Sequence, residues 1–213
     1  IGGSFQGKGP EQAAKATRVE KGAQLKADGG REGGKVVVWS SGNTEFAGKA
    51  SAKGGTQGGV VETSGKRLSV TGDAAVDASG GAHSGLWLLD PDRVDIVEVP
   101  TGDNVNSAVI ANSLANNDVR VEARERINVN APIVAPVVDS GKTLALIASG
   151  TVGSVTDYDS QGSGSALDKA KRNVSGSVHI NAPILLKDGN LYIAATGDVR
   201  LNDLSTPADS GAA

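Results

Sequence analysis

The sequence predicts an all-β protein, a right-handed parallel β-helix with coils of about 25 residues and one short helical excursion. Three observations lead to this fold class. A strand-and-turn phrase recurs at a constant step, the apolar residues are mostly Val, Ala, Ile and Leu, and the 213 residues include 30 Gly but only two Trp, two Tyr and two Phe. A compact domain of this length usually buries several large rings. Many small, similar layers therefore suit this composition better than one wide core.

The repeat is clearest in residues 1–99, which form the Gly-rich coils. The Gly before each strand falls at 34, 59 and 85, and the Ala that ends each preceding strand falls at 27, 52 and 78. Both markers step by 25 and then by 26 residues. Two markers with one period indicate a structural repeat. Glycine doublets, as at 29–30 and 54–55, are predicted to take positive φ at the corners.

Alternation along each strand predicts which side chains point into the helix. The aligned copies give two rows of equivalent inward positions: Val36, Val61 and Trp87, and Val38, Thr63 and Leu89. Thr63 is therefore predicted to point inward and Glu62 outward, in a strand whose role is stacking. The tripeptide that begins at Glu62 is interpreted as structural.

Residues 100–118 interrupt the period. Val109, Ile110 and Leu114 have helical spacing, which predicts a short helix. This segment is the helical excursion of the predicted fold.

The period resumes in residues 119–213, which also contain a polar loop at 157–173. The phrase Asn-Ala-Pro-Ile at 130 returns 51 residues later at 181, and this distance is interpreted as two periods. A strand opening at Val152 is then expected between the strands that open at Ile127 and Val178. The prediction totals seven to eight coils, a rod of roughly 35 Å. We expect one β-helix segment over 1–213, cut from a longer protein.

Composition argues against several kinds of partner. The net charge is −3, so there is no electrostatic reason to expect nucleic acid or anionic lipid. No apolar stretch is long enough to span a bilayer, so no membrane insertion is expected. Cysteine is absent, which rules out a disulfide scaffold and a thiolate metal site. No cofactor is predicted. The first residue is Ile, so the chain is expected to start at an internal or processed position.

Trp39 and Lys35 are the candidate ligand contacts. The alignment places Lys35, Val37 and Trp39 on the outer face of the first long strand. An exposed indole beside a lysine is a plausible platform for stacking a sugar ring. The alternative is that Trp39 packs under a neighbouring strand or loop of the parent protein.

A calcium-loop pattern lies partly in the polar loop. Oxygen donors fall at the first, third, fifth and twelfth positions from Asp157 to Asp168, with Gly162 sixth. Gln161, Gly164 and the short side chain of Asp168 depart from that pattern. An ordinary solvated loop is the alternative.

No catalytic constellation is predicted, and the chain is interpreted as not an enzyme. His83 and His179 lie in different repeats without a second ligand, and both are expected to face solvent. A polysaccharide lyase or hydrolase would need carboxylates that converge on a groove. Asp90, Asp92 and Asp95 are the best candidates, but Asp90 and Asp92 flank a proline, and a turn is the simpler interpretation.

Four phrases over roughly residues 1–135 carry a family resemblance. They are Gly34-Lys-Val-Val-Val-Trp-Ser40, the strand from Phe46 to Ala52, Gly59-Val-Val-Glu-Thr-Ser-Gly65, and the stretch from Trp87 to Ile96. In this order they resemble the large exoproteins of two-partner secretion, which include filamentous haemagglutinin and the high-molecular-weight adhesins. The resemblance implies export by a dedicated outer-membrane transporter, a place just after the amino-terminal secretion domain, and a secreted or cell-surface location.

The expected function is structural and adhesive. The segment would extend a surface exoprotein and contribute to attachment to a host glycan or surface protein. Two alternatives stay open, because the resembling family also contains haem–haemopexin-acquisition exoproteins and the sticks of contact-dependent inhibition toxins.

Overall fold

The computed structural model describes residues 1–136, 141–150 and 175–202. Over these residues the protein is built from parallel strands, with one short α-helix, α1 (Ser107–Ser113), and one 3₁₀ turn (Phe5–Gly7). Every pair of strands is parallel, so the predicted all-β parallel class is confirmed.

The described strands are, in chain order, β1 (Ala16–Val19), β2 (Gln24–Lys26), β3 (Lys35–Phe46), β4 (Lys49–Ser51), β5 (Val60–Val70), β6 (Ala75–Asp77), β7 (Leu86–Asp90), β8 (Arg93–Val97), β9 (Asn104–Asn106), β10 (Asp118–Ala123), β11 (Arg126–Val129), β12 (Ile133–Val134), β13 (Thr143–Ala148), β14 (Ser177–Ile180), β15 (Ile184–Leu185), β16 (Asn190–Ala195) and β17 (Val199–Leu201).

The strands stack on three faces. Face 1 contains the first halves of β3 and β5, then β7, β10, β13 and β16. Face 2 contains β1, the second halves of β3 and β5, then β9, β8, β11, β14 and β17. Because β3 and β5 continue across the corner, faces 1 and 2 form one sheet that is nearly closed. Face 3 contains β2, β4 and β6 and, beyond the helix, the pair β12–β15.

The core is made of the inward rows that the alignment predicts. In face 1, Val61 pairs with Val36 and with Trp87, and Thr63 pairs with Val38 and with Leu89, so both predicted rows are confirmed. All six side chains are buried. The indole N–H of Trp87 donates to the Thr63 hydroxyl at 2.9 Å, so the polar atoms in this layer have partners.

The corner glycines are needed for close backbone contact rather than for positive φ. The predicted doublets at 29–30, 54–55 and 80–81 all have ordinary φ values, so the sequence-based explanation was wrong. Gly29, Gly54 and Gly80 instead form bridges from one repeat to the next. A Cβ at Gly54 would lie 2.0 Å from the carbonyl oxygen of Gln57. The stacked corners therefore leave no space for a side chain.

Helix α1 takes the place of a strand in face 3, where it packs against β6 on one side and β12 on the other. The side chain of Asn106 caps it by accepting from the amide of Val109 at 3.0 Å. Val109, Ile110 and Leu114 are buried, so the predicted helix and its apolar side are confirmed. Where the helix leaves face 3 without a neighbouring strand, the side-chain oxygen of Asn117 accepts a hydrogen bond from the backbone amide of Ala78.

The later strands stack differently from the prediction. Ile127 pairs directly with Val178, and Leu144 pairs directly with Leu191, although 51 and 47 residues separate them. Each pair is therefore in adjacent layers; the expected strand at Val152 lies outside the described residues. Within the described ranges face 1 holds six strands, a stack of about 24 Å, whereas face 2 holds eight strands, because β9 lies between β5 and β8.

An asparagine ladder marks one corner of the later repeats. The side-chain amide of Asn181 donates to Asn130 at 2.7 Å, and that of Asn202 donates to Asn181 at 2.6 Å. The phrase that the sequence repeats at 130 and 181 is thus a contact between adjacent layers.

Candidate functional site

The first residues of the chain cover part of the outer surface of face 1. We call residues 1–14 the N-terminal segment. The amide of Trp39 donates to the carbonyl of Ile1 at 3.0 Å, and the amide of Ser41 donates to the carbonyl of Ala14 at 2.9 Å. Both ends of the N-terminal segment are therefore attached to the free edge of β3.

The N-terminal segment packs against Trp39. A Cβ atom added at Gly3 or Gly7 would lie 2.6 or 2.4 Å from carbon atoms of the indole, so the backbone there contacts the ring directly. Trp39 points outward as predicted, but it is half-buried rather than exposed. The expectation of an open platform is corrected, because packing under another segment, the stated alternative, describes this side chain better.

Lys35 is also engaged by the N-terminal segment. Its ammonium lies 4.4 Å from the centroid of the Phe5 ring, a cation–π contact. Lys35 and Trp39 are four residues apart on the same outward row of β3, with the 3₁₀ turn packed over this strand. The two candidate ligand contacts are thus partly used within the chain itself.

Glu62 points outward as predicted and is nevertheless fully buried. Both of its carboxylate oxygens accept from the backbone amide of Gln6 at 3.0 Å. Burial raises the pKa of Glu62, and the hydrogen bond from Gln6 opposes that rise. The N-terminal segment is therefore held to face 1 by a carboxylate as well as by the ring of Trp39.

A cleft of about 300 Å³ opens beside Trp39, at the corner where face 1 turns into face 2. It is lined by Gln6, Trp39, Ser41, Gly65, Lys66, Asp90, Pro91, Asp92 and Arg124. Except for Gln6 and Trp39, these residues lie at or next to the ends of successive face 1 strands. Stacking of these strands therefore brings residues from four repeats to one place.

Asp90 is the most perturbed group of the cleft. Burial raises its pKa to about 6, repulsion from Glu122 on the next strand adds to this, and Arg124 and Lys8 oppose it. Its backbone amide donates to the Ser64 hydroxyl at 3.1 Å. Within the described part of the chain, no group donates a hydrogen bond to its carboxylate.

The other carboxylates at this corner have cationic partners. Asp92 lies 3.6 Å from the guanidinium of Arg124, and Glu122 is paired with Arg120. Asp90 is thus a carboxylate with unused hydrogen-bonding capacity, beside an aromatic wall. Such an arrangement can accept hydroxyl or amide protons from a small polar ligand.

The structure brings together only part of the carboxylate set that a hydrolase would need. Asp90 and Asp92 line the cleft, whereas Asp95 lies on face 2 and accepts from the side-chain amide of Asn128 at 2.5 Å. Strand β7 ends at Asp90 and β8 begins at Arg93, so the predicted turn at Pro91 is confirmed.

The histidines are separate from the cleft. His83 is exposed, and His179 points outward from β14 between Asn128 and Arg200. Among the residues that the structure describes, no group of three or more His, Asp or Glu side chains is placed to hold a metal ion. The calcium-loop candidate, 157–168, lies outside the described residues.

Sequence reasoning missed Lys66, Arg124 and Gln6 as members of the site. Lys66 and Arg124 each follow the last face 1 residue of their repeat, so aligning the corners as well as the strands could have found them. Gln6 gave no such signal, because the N-terminal segment has no period.

No helix in the described ranges is both long and apolar enough to cross a membrane. Comparison of the chain with protein-family models, with curated proteins and with solved structures finds no match.

Proposed function

We propose that this chain is a right-handed parallel β-helix segment that extends a secreted bacterial surface exoprotein and contributes to attachment to host cells or matrix. The observation that supports this best is the uniform stack of face 1. Six strands carry the same two inward rows, from Val36 and Val38 to Leu191 and Ile193. Crossovers between parallel strands of one sheet are almost always right-handed, which favours the right-handed form.

A stack of this kind suits a stiff spacer. Each repeat contacts only its neighbours, so length can be added without a new core. Many weak contacts along such a rod would add through avidity, because after the first contact the next ones form at high effective concentration.

The assignment to a secreted exoprotein rests on the resemblance to two-partner secretion proteins. Its four phrases fall on β3, β4, β5 and the β7–β8 corner. The proposed partners are accordingly an outer-membrane transporter of that type and a host glycan or surface protein.

The test is binding of the labelled 213-residue chain to intact epithelial cells and to a glycan array. We expect saturable binding that an excess of unlabelled chain displaces. A chain shown to be folded by circular dichroism that binds neither cells nor glycans would overturn the adhesive role. Binding to haemopexin alone would favour the haem-acquisition alternative.

A further inference from the structure

We infer that the cleft beside Trp39 is a binding site for an uncharged sugar unit of a glycan. This inference rests on the proposed adhesive function and names its ligand class and contact residues. Four features of the cleft carry it: a fixed aromatic wall, a balance of charge, an unused carboxylate, and the available volume.

The N-terminal segment packs against the aromatic wall. The backbone at Gly3 and Gly7 contacts the indole of Trp39, and both glycines belong to a segment attached to β3 at its two ends. Part of the ring stays accessible and lines the cleft. A ring that is already ordered loses little conformational entropy when the apolar face of a sugar stacks on it.

The charges that line the cleft cancel. Lys66 and Arg124 carry positive charge, whereas Asp90 and Asp92 are acidic. Asp92 and Arg124 are already paired at 3.6 Å. A ligand with a net charge of either sign therefore meets one like charge for each opposite one, and a neutral polar ligand meets no such penalty.

The Asp90 carboxylate supplies the polar recognition. It is half-buried against Glu122 and lacks a hydrogen-bond donor among the described residues. A carboxylate accepts from two neighbouring hydroxyl groups at once, a pattern that sugar rings offer. Lys66 can donate to a ring or hydroxyl oxygen from the same cleft.

The size of the cleft limits the ligand. Its volume of about 300 Å³ is at the lower end of the range for small-molecule sites. One or two sugar rings fit such a space, and because the cleft opens at a corner of the stack, a longer glycan could continue into solvent.

The experiment uses the 213-residue chain and three neutral disaccharides, lactose, maltose and diacetylchitobiose, as probes. Affinity is measured by saturation-transfer NMR and location by tryptophan fluorescence. The chain has two tryptophans, and Trp87 is fully buried. A ligand-induced change in emission therefore reports on Trp39, and the near-ultraviolet dichroism of Trp87 shows that each variant is folded.

We expect at least one disaccharide to bind with millimolar affinity and to change the emission. Trp39→Phe should abolish the fluorescence response, and Asp90→Asn should weaken binding about tenfold or more. Asp73→Asn is the matched control, since Asp73 lies on another corner in an ion pair with Lys21 at 2.8 Å. It should leave the affinity unchanged.

Three results would overturn the inference. They are no response of the folded chain to any of the disaccharides, disaccharide binding that neither Trp39→Phe nor Asp90→Asn affects, and preference for a lysine- or arginine-rich peptide over all three. The adhesive proposal is judged separately by the cell assay. If the chain binds cells and Asp90→Asn binds them equally well, adhesion stands and the cleft is not its site.

Discussion

The two parts of the stack use the same period in different ways. On face 1 of the first part, one period along the chain equals one layer, since Val36, Val61 and Trp87 pair in turn at steps of 25 and 26 residues. In residues 118–202 the first step, from Val119 to Leu144, is 25, but the next neighbour of Leu144 lies 47 residues further on. A repeated phrase thus identifies equivalent strands without counting the layers between them.

The difference follows from what holds each set of corners. In the first part, glycine backbones of successive repeats touch, so an insertion at those corners would separate the layers. In the second part, one corner is held by side chains, the ladder of Asn130, Asn181 and Asn202. At another corner, a Cβ on Gly176 would lie 2.5 Å from the amide of Gly150. Two residues that are 26 positions apart in the sequence are therefore in contact at this corner.

The largest expected effect comes from adding one methyl group to a first-part corner. A Cβ at Gly58 would lie 1.9 Å from the carbonyl oxygen of Ala78 and 2.4 Å from the amide of Gly85. Gly58→Ala should therefore lower the free energy of unfolding by about 3 kcal/mol or more. Gly30→Ala is the control, since nothing lies within 4 Å of its added Cβ and its φ is not positive; it should change stability by less than about 0.5 kcal/mol. Equal urea midpoints for the two variants would refute the backbone-contact explanation.

The junction between the two parts should make stability depend on pH. Asp90, from the first part, lies beside Glu122 from the second, and burial raises its pKa from 3.8 to about 6. The folded chain therefore holds a proton that the unfolded chain has released between about pH 4 and pH 6, so this group reduces stability as the pH rises through that window.

Asp90→Asn should accordingly raise the free energy of unfolding by about 1–3 kcal/mol at neutral pH and have little effect near pH 4. Urea unfolding at both pH values measures this. Asp73→Asn, which removes an exposed ion pair with Lys21, should show no such gain. A constant difference between wild type and Asp90→Asn across the pH range would mean that Asp90 does not titrate as described.

The asparagine ladder predicts a smaller effect in the second part. Asn181 donates to Asn130 and accepts from Asn202, whereas Asn202 makes only one of these contacts. We expect Asn181→Ala to lower the free energy of unfolding by about 1 kcal/mol and Asn202→Ala to lower it by about half as much. Thermal melts monitored by circular dichroism would compare the two. Identical melting temperatures would show that the ladder contributes nothing.

The smallest effect on stability is expected from the deletion of residues 151–174. Removal of residues 151–174 joins Gly150 to Ser175, next to Gly176, with which Gly150 is already in contact. Loop-closure entropy changes by only about 0.6 kcal/mol for each halving of a loop, so the melting temperature should shift by a few degrees at most. Loss of the β-sheet dichroism would show instead that these residues support the stack.

Local pattern was enough to predict much of the fold. The inward rows, the parallel all-β class and the helix at 107–113 depend on alternation and helical spacing. Both are properties of a few neighbouring residues. The candidate site was predicted less well. Trp39 was found because alternation places it on the outer face near Lys35, but its partial burial depends on a segment with no period.

What the sequence by itself determined is which residues are equivalent, because equal environments in a stack require equal patterns of side chains. What only the tertiary structure decided is which equivalents touch and what covers them. Trp39 and Glu62 point outward by alternation. They are nevertheless covered by the N-terminal segment, which is distant in the sequence from Glu62 and from Trp39. Asp90 is perturbed for the same reason, because its desolvation and the charge of Glu122 come from neighbours that only the folded stack supplies.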